Sequence, residues 1–258
     1  MKHIILNVFC CGALFLTSCA IKEDRVPCPC VLELDFFCRD SEEIGNVDLA
    51  VTSKEDYQWR DTLDFRSEGE GYLVFVPRTE LHLRAWSGAE GYISMDRIVI
   101  PLGEDCPRVY MHDSDLSIDE EYVSESVRLR KNYCVMTVVM EGEGEISSDI
   151  LIKGNVAGYD ETGEPLPGEF EYVMGTGNQS RRYVAVLPRQ TDTSLMLEIN
   201  DGKGNRKSFA LGKYIASSGY DWTADELDDV TVTLDYALTE LKLSISGWDG
   251  IYTYEIEI

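Results

Sequence analysis

The sequence has 258 residues, of which 44% are hydrophobic and 27% are charged, an ordinary composition for a globular protein of one or two domains. Its 47 acidic and 23 basic residues give a formal charge of −24, and the Lys and Arg residues form no cluster. This charge argues against a nucleic acid partner and disfavours docking of the protein surface on anionic lipid headgroups.

The first 18 residues have the pattern of a bacterial signal peptide. Lys2 supplies a positive charge, and the apolar run 4–16 is too short to span a bilayer as a helix. A Leu-Thr-Ser-Cys sequence ends at Cys19 and resembles a lipobox, in which cleavage between Ser18 and Cys19 leaves Cys19 as the first residue. The Cys sulfur is the nucleophile that accepts the lipid. We therefore expect a signal peptide at 1–18 and an anchor of several acyl chains, such as palmitate, on Cys19.

Three charged residues follow the lipobox. Lys22, Glu23 and Asp24 resemble the signal that sends some lipoproteins of Bacteroidetes to the cell surface. No later stretch is apolar and long enough to be a transmembrane helix. We interpret 19–29 as a lipidated, solvated tether.

Five cysteines remain after the signal peptide and the lipidated residue are set aside: Cys28, Cys30, Cys38, Cys106 and Cys134. Five is an odd number, so at least one thiol stays free unless it pairs between chains. Cys28 and Cys30 are too close for an unstrained bridge with each other. One structural disulfide and plain buried thiols both stay open. A zinc site would need a second Cys or His pair at a recognisable spacing, so we expect no metal.

From residue 30 onward, apolar and polar residues alternate with the period of half-buried strands. In the first segment, Cys30, Leu32, Leu34, Phe36 and Cys38 share one face. Further strands are predicted at 46–53, 57–65, 72–77, 80–86, 108–112, 125–130, 133–141, 150–159, 169–174, 182–187, 194–200, 206–211, 230–236, 241–246 and 252–258.

This pattern predicts an all-β protein of two antiparallel β-sandwiches in tandem. The window 113–122 is the most acidic, and it lacks the mid-loop Gly and terminal Glu of a calcium loop. We interpret it as a solvated linker at the boundary between an N-terminal sandwich at 30–122 and a C-terminal sandwich at 123–258. One short helical turn is expected within 211–220.

No catalytic motif is visible. The sequence has no Gly-rich phosphate loop before a helix and no Gly-x-Ser-x-Gly elbow, and His82 and His112 have no obvious Ser or Cys partner. Carboxylate pairs arise without catalytic purpose in a chain with 47 acidic residues. We therefore predict no enzyme, no cofactor and no small-molecule substrate.

The two ends of the mature sequence carry a family resemblance. The segment DRVPCPC at 24–30 leads into the first strand, and DDVTVTLDY at 228–236 is followed by LKLSISGW at 241–248. Together they resemble the fimbrial anchoring subunits of the Fim/Mfa-type fimbrillin superfamily of Bacteroidales. The resemblance implies two transthyretin-like domains on an outer-membrane lipid anchor at the cell surface, with a fimbrial shaft subunit as the protein partner.

The resemblance also implies assembly by strand exchange, in which a neighbour's last strand fills a groove opened by proteolysis after an Arg. Here Tyr252, Tyr254, Ile256 and Ile258 share one face of the last strand, which is either donated or paired within its own chain. Arg39 follows the first strand, and cleavage there would remove both strand and lipid.

The leading hypothesis is a lipid-anchored subunit that attaches a pilus to the outer membrane and limits its length. One alternative is a pilus shaft or tip subunit that is processed after Arg39. The other is a surface glycan-binding lipoprotein of a polysaccharide-uptake system.

Overall fold

The computed structural model describes residues 28–38, 43–65, 71–94, 97–141, 149–176, 181–200, 206–235, 240–247 and 250–257. Within these ranges the chain forms nineteen strands and one short helix, so the predicted all-β class is confirmed. The transthyretin-like assignment stays a prediction.

The strands alternate with short turns along the whole described chain. Their bounds are β1 Cys30–Cys38, β2 Asn46–Ser53, β3 Gln58–Asp64, β4 Tyr72–Val76, β5 Glu80–Ser87, β6 Ile93–Ser94, β7 Arg97–Val99, β8 Tyr110–Ser117, β9 Tyr122–Lys131, β10 Tyr133–Glu141, β11 Asp149–Tyr159, β12 Pro165–Val173, β13 Gly175–Thr176, β14 Arg182–Pro188, β15 Met196–Asn200, β16 Arg206–Phe209, β17 Asp229–Asp235, β18 Glu240–Gly247 and β19 Gly250–Glu257. The helix α1 spans Leu211–Ser217.

Seven strands of the first half form one sheet with the order β3-β2-β5-β8-β9-β1-β4. β1 pairs with β4 antiparallel and with β9 parallel, and β2 lies between β3 and β5. Leu32 of β1, Leu49 of β2 and Leu83 of β5 are fully or almost fully buried in one apolar cluster. The sheet therefore curls until its two arms enclose a core, as the alternation along β1 predicts.

The second half repeats this connectivity with seven further strands. β10 pairs with β14 antiparallel and with β17 parallel, as β1 pairs with β4 and β9. β11 lies between β12 and β15, as β2 lies between β3 and β5. At the next position, β15 pairs with β16, as β5 pairs with β8. We call the two groups the first strand set and the second strand set. The strands β6, β7, β13, β18 and β19 are additions to this repeat.

The first half of the acidic window that we predicted to be a linker, 113–117, lies in the strand β8. β8 carries Asp113 and Asp115 on a polar face, while Leu116 on the opposite face is buried. Across the sheet, His82 Nδ1 lies 2.9 Å from Asp115 Oδ1, and His82 Nε2 lies 3.1 Å from Asp113 Oδ2. The linker interpretation was wrong because basic groups on β5 face these carboxylates, so the charge of the window does not oppose strand formation.

The division into domains at 30–122 and 123–258 stays a prediction. The strand pairing assigns β9, which begins at Tyr122, to the first strand set, and it assigns β6 and β7 to the sheet of β11. The two strand sets meet at Asn132, the single residue between β9 and β10.

A polar network and an apolar cluster join the two strand sets around Asn132. The Tyr159 hydroxyl donates to the Asn132 carbonyl oxygen and accepts the backbone N–H of Arg189 at 3.0 Å. Arg189 Nε donates to Asn132 Oδ1 at 2.7 Å, and Arg189 Nη1 donates to the carbonyl oxygens of Trp222 and Ala224. The apolar cluster consists of Ala50, Trp86, Ala89, Ile98, Val109, Met111 and Tyr159.

The helix α1 confirms the helical turn expected within 211–220. It buries Leu211 and Ile215 against the second strand set. Among the described residues, no helix has the length and apolar character needed to cross a membrane.

Candidate assembly interface

β1 is enclosed along both of its edges. Its register pairs Leu32 with Val74 of β4 and with Val123 of β9. The backbone N–H of Val31 donates to the carbonyl oxygen of Glu121 at 2.9 Å, so the contact with the β9 side begins immediately after Cys30. The core face of β1 is buried. The first described strand is thus an interior element, and its removal would open a groove between β4 and β9.

The opposite face of β4, β1 and β9 exposes large apolar side chains. Phe75 and Leu73 of β4, Phe37 of β1 and Tyr122 of β9 are 69%, 58%, 57% and 51% exposed. Val31 pairs with both Phe75 and Tyr122, so these three residues form one row across the sheet. We call this surface the β1 outer face. Exposed apolar patches of this kind are typical of contact surfaces.

The predicted processing residues lie outside the described residues: Ser18, Cys19, Lys22, Glu23, Asp24 and Arg39, together with Ile258 of the predicted donor face. Cys28 is the first described residue and is exposed. It lies nine residues after Cys19 in the sequence, a reach of at most about 30 Å. A lipid on Cys19 would therefore keep Cys28, and with it the start of β1, close to the membrane.

The C-terminal strands form a hairpin beyond the repeated strands. β18 pairs with β17, and among the described strands β19 pairs with β18 alone. The register sets Tyr254 opposite Leu243 and Tyr252 opposite Ile245. Together with Ile256, these tyrosines occupy alternate register positions along β19. In this structure the last strand is paired within its own chain.

The chain that follows β1 is fixed again at Glu43 and Ile44. Glu43 Oε2 accepts the Tyr110 hydroxyl at 3.0 Å and the Tyr133 hydroxyl at 3.2 Å, and Arg108 Nη1 lies 3.7 Å away. Burial raises the pKa of Tyr133 to about 12 and also raises the pKa of Tyr110, so both hydroxyls keep their protons. Because Tyr110 lies on β8 and Tyr133 on β10, this contact ties the segment before β2 to both strand sets.

No disulfide joins any two of the five described cysteines. Cys30, Cys106 and Cys134 are buried, and burial raises the pKa of Cys134 to about 12 and that of Cys106 well above its ordinary value. A thiol with a raised pKa is a poor nucleophile and a poor metal ligand. Of the two possibilities that the sequence left open, the described residues hold thiols and no disulfide. Nor does any group of three or more His, Cys, Asp and Glu side chains among them come close enough to hold a metal ion.

Sequence reasoning missed the β1 outer face and the Glu43 contact. The sequence did carry a signal for the β1 outer face. A strand with only one buried face needs apolar residues at alternate positions only, whereas Tyr72–Val76 is an uninterrupted apolar run. Glu43 carried no signal, because its partners Tyr110 and Tyr133 are 67 and 90 residues away in the sequence.

Comparisons with known proteins establish the fold. No protein-family model matches the sequence, and no curated protein matches it. Among solved structures, the fimbrial anchor protein Mfa2 from Porphyromonas gingivalis has a TM-score of 0.61 at 13% identity over 88% of this chain and 100% of that one. A Bacteroides thetaiotaomicron protein proposed to bind polysaccharide has a TM-score of 0.70 at 12% identity over 88% and 98% of the two chains. A proposed adhesin from Bacteroides ovatus has a TM-score of 0.64 at 12% identity over 88% and 96%.

At such identities the likeness extends to the fold alone. It nevertheless covers nearly the whole length of each neighbour, and it includes a fimbrial anchor of a Bacteroidales species. The resemblance stated from the two ends of the sequence is therefore confirmed at the level of structure.

Proposed function

We propose that this chain is a non-enzymatic, lipid-anchored fimbrial subunit that attaches a strand-exchange pilus to the outer membrane and limits its length. The lipid is on Cys19, and the folded part lies at the cell surface. The observation that carries the proposal is the position of β1, which follows the tether directly and is hydrogen-bonded along both edges. A lipid on Cys19 is then covalently joined to an interior strand of the first strand set.

Retention of β1 would explain how growth stops at this subunit. While β1 occupies the space between β4 and β9, no neighbour's strand can enter it. A subunit that keeps its first strand can therefore donate a strand but cannot accept one, which makes it an end of the pilus. The proposed export signal, Lys22, Glu23 and Asp24, would carry this end to the outer surface.

The proposed partner is a fimbrial shaft subunit, and β19 is the proposed contact. Tyr252, Tyr254 and Ile256, extended by Ile258, would fill pockets of the partner's open groove, while backbone hydrogen bonds supply affinity. Such donation requires β19 to leave β18, its sole partner among the described strands. The position of β19 at the sheet edge favours this exchange, since β18 would keep its pairing with β17 and no third described strand pairs with β19.

Intact-mass analysis of the protein extracted from membranes tests the anchor role. We expect a chain that begins at acylated Cys19. A chain that begins after Arg39 would contradict the anchor and support the alternative of a processed shaft or tip subunit. In that case the Glu43 contact would hold the new N-terminal segment against β8 and β10.

Two variants separate anchoring from assembly. Cys19→Ala should release the protein from membranes and pili into the medium, whereas Cys28→Ala, at an exposed thiol of the same tether, should not. Truncation before Gly250 should leave the protein on the membrane and abolish its co-purification with shaft subunits. Pili that remain attached to cells of the Cys19→Ala strain would overturn the proposal.

A glycan-binding surface lipoprotein is the alternative, and specific retention on polysaccharide affinity gels would favour it.

A further inference from the structure

A cleft of about 770 Å³ lies where the two strand sets meet. Met111 of β8 and Arg130 of β9 line it on the side of the first strand set. Three connections of the second strand set line the other sides: the β11–β12 turn, the β14–β15 loop and the segment between α1 and β17. A junction of this kind is a common place for a ligand site, and the volume lies within the range of small-molecule pockets.

The loops around the cleft are fixed by hydrogen bonds within the protein. Arg189 Nη1, at the start of the β14–β15 loop, donates to the carbonyl oxygen of Trp222 and, at 2.9 Å, to that of Ala224. In the same loop, Asp192 Oδ1 accepts the backbone N–H of Ser194 at 2.8 Å. A ligand would therefore meet a preformed cleft, and little conformational freedom would be lost when it binds.

Trp222 adds an aromatic residue to the wall of the cleft. It is half-buried, and its ring packs edge-to-face against that of Tyr220, with the ring centres 4.7 Å apart. The Tyr220 hydroxyl in turn donates to the carbonyl oxygen of Asp228 at 2.7 Å. A tryptophan held in this way buries a large apolar area at a small cost in side-chain entropy. A sugar ring with equatorial hydroxyl groups suits such a residue, because its two faces are covered by C–H groups while its hydroxyl groups lie at the edge.

Exposed polar side chains of the cleft are open to a ligand. Thr191, Thr193 and Glu164 line it, are exposed, and make no side-chain hydrogen bond or ion pair with another described residue. Asp192 is also exposed, and its Oδ2 accepts from Asn155 Nδ2 at 2.7 Å. A carboxylate has about four lone-pair sites, so Asp192 can accept further hydrogen bonds. The wall thus offers the donors and acceptors that hydroxyl groups need.

The charges of the cleft oppose an anionic ligand. Arg130 Nη1 lies 2.8 Å from Asp225 Oδ1, so this cation already has a counter-ion. Hydrogen bonds from Ser194 hold the pKa of Asp192 below its ordinary value, and the carboxylate is ionised at neutral pH. Glu164 adds another carboxylate, and the whole chain has a formal charge of −24. An uncharged ligand rich in hydroxyl groups therefore fits the cleft better than an acid does.

We propose that this cleft binds an uncharged oligosaccharide, with one sugar ring stacked on Trp222. The hydroxyl groups of the sugar bond to Thr191, Thr193 and Asp192. The stacked ring supplies apolar burial, and the bonds to the carboxylate are charge-assisted and therefore among the stronger ones. This inference goes beyond the anchor role and does not rest on it, since the cleft uses neither β1 nor β19. It also gives the glycan-binding alternative a definite site.

The test is a titration of the purified full-length protein, labelled with ¹⁵N at tryptophan, with cellotetraose and with maltotetraose. We expect a saturable shift of one indole signal with at least one of the two, and loss of that signal in Trp222→Phe identifies it. Tetragalacturonate, an anionic counterpart, should bind at least about tenfold more weakly, because its carboxylates would face Asp192 and Glu164. Spermidine tests whether these carboxylates serve a cation instead.

Two variants and two controls locate the binding in the cleft. Trp222→Ala should weaken the binding of the sugar at least about tenfold, the usual scale for a lost stacking partner. Thr191→Tyr should abolish it by filling the cleft from an exposed position, where folding is little affected. Ser126→Tyr, at an exposed position of β9 outside the cleft, and Trp59→Phe on β3 should bind as the unaltered chain does. Thermal unfolding of each variant shows whether it is folded, and the sugar should raise the unfolding temperature of the unaltered chain but not of Thr191→Tyr.

The proposal is overturned if no indole signal shifts with either tetrasaccharide up to about 20 mM, well above a millimolar dissociation constant. It is also overturned if Trp222→Ala and Thr191→Tyr bind as the unaltered chain does, or if tetragalacturonate or spermidine binds as tightly as the neutral sugars. Attachment of pili by the Thr191→Tyr strain should be normal in every case, so failure of this site and failure of the anchor role are distinguishable.

Discussion

β1 and β10 hold the same place in the two strand sets and differ in how the chain enters them. Each lies between an antiparallel and a parallel neighbour. β10 follows β9 after the single residue Asn132, whereas β1 is preceded by the segment 19–29 that we predict to be a lipidated tether. β10 therefore cannot leave its sheet without moving β9, but β1 could be removed by a single cleavage after Arg39.

The last strands of the two sets, β9 and β17, differ in how the chain leaves them. β9 continues directly into β10, whereas β17 continues into the added hairpin of β18 and β19. One topology is thus used in two ways. The first strand set is the place where a strand can be taken away, and the second strand set is the place where a strand has been added. Strand exchange needs both.

The largest expected effect comes from truncating core residues of the two equivalent strands. Leu32 of β1 and Met136 of β10 are fully buried. Leu32→Ala and Met136→Ala should each lower the free energy of unfolding by about 2–5 kcal/mol, because each leaves a cavity. Urea unfolding followed by tryptophan fluorescence measures the loss. Phe75→Ala on the β1 outer face is the control and should change stability by no more than about 0.5 kcal/mol. A small loss in Leu32→Ala alone would show that β1 is more loosely held than β10.

The second prediction concerns the junction at which the two strand sets meet. Arg189→Met removes the hydrogen bonds to the Asn132 side chain and to the carbonyl oxygens of Trp222 and Ala224. We expect a loss of about 2–3 kcal/mol, because hydrogen bonds to a charged group are lost and buried acceptors stay unpaired. Arg128→Met, at an exposed position of β9, should be nearly neutral. Two separate transitions in calorimetry of Arg189→Met would show that this network makes the sets unfold together.

The third prediction is a pH dependence carried by Asp105. Its Oδ1 accepts the backbone N–H of Val186 in β14 at 2.7 Å, and burial raises its pKa to about 6. Between about pH 4 and pH 6 the folded state holds a proton that the unfolded state has released, so this group's contribution to stability falls as the pH rises.

Asp105→Asn keeps the acceptor and removes the titration. The stability of the variant relative to the unaltered chain should therefore increase by about 1–2 kcal/mol from pH 4 to pH 7, after solvent screening is allowed for. Paired urea titrations at the two pH values measure this difference. A difference that does not change with pH would contradict the raised pKa.

The smallest effect is expected at the segment that follows β1. Glu43→Gln weakens the contacts with the Tyr110 and Tyr133 hydroxyls and with Arg108. The expected loss is about 1 kcal/mol, because the carboxylate is half exposed. Limited trypsin digestion gives a second measurement, since looser attachment near Arg39 should speed cleavage there. Glu55→Gln, in the exposed turn before β3, should leave both quantities unchanged.

Local patterns in the sequence predicted most strands and little of their assembly. The alternation from Cys30 to Phe36 gave the buried face of β1 correctly, because a two-residue period has a direct consequence in a sheet. The window at Asp113 was misread because the basic partners that stabilise it, on β5, are about thirty residues away. Strand order, the repeat and the parallel pairs depend on such distant contacts.

The candidate sites divide in the same way. Cys19 and Arg39 were predicted from local motifs, and they remain predictions because they lie outside the described residues. The Glu43 contact could not be predicted, because it requires Tyr110 and Tyr133, which are 67 and 90 residues away in the sequence, to meet Glu43 in space.

The two-sided pairing of β1 has a mechanical consequence. Hydrogen bonds in a sheet lie across the strands, so a pull along β1 from Cys28 acts on all of them in shear. Bonds loaded in this way share the force and must fail together. A pull across the edge strand β19 would instead open its pairs with β18 one after another. β1 is therefore arranged to resist tension applied at Cys28, whereas β19 is arranged to separate from β18 one residue pair at a time.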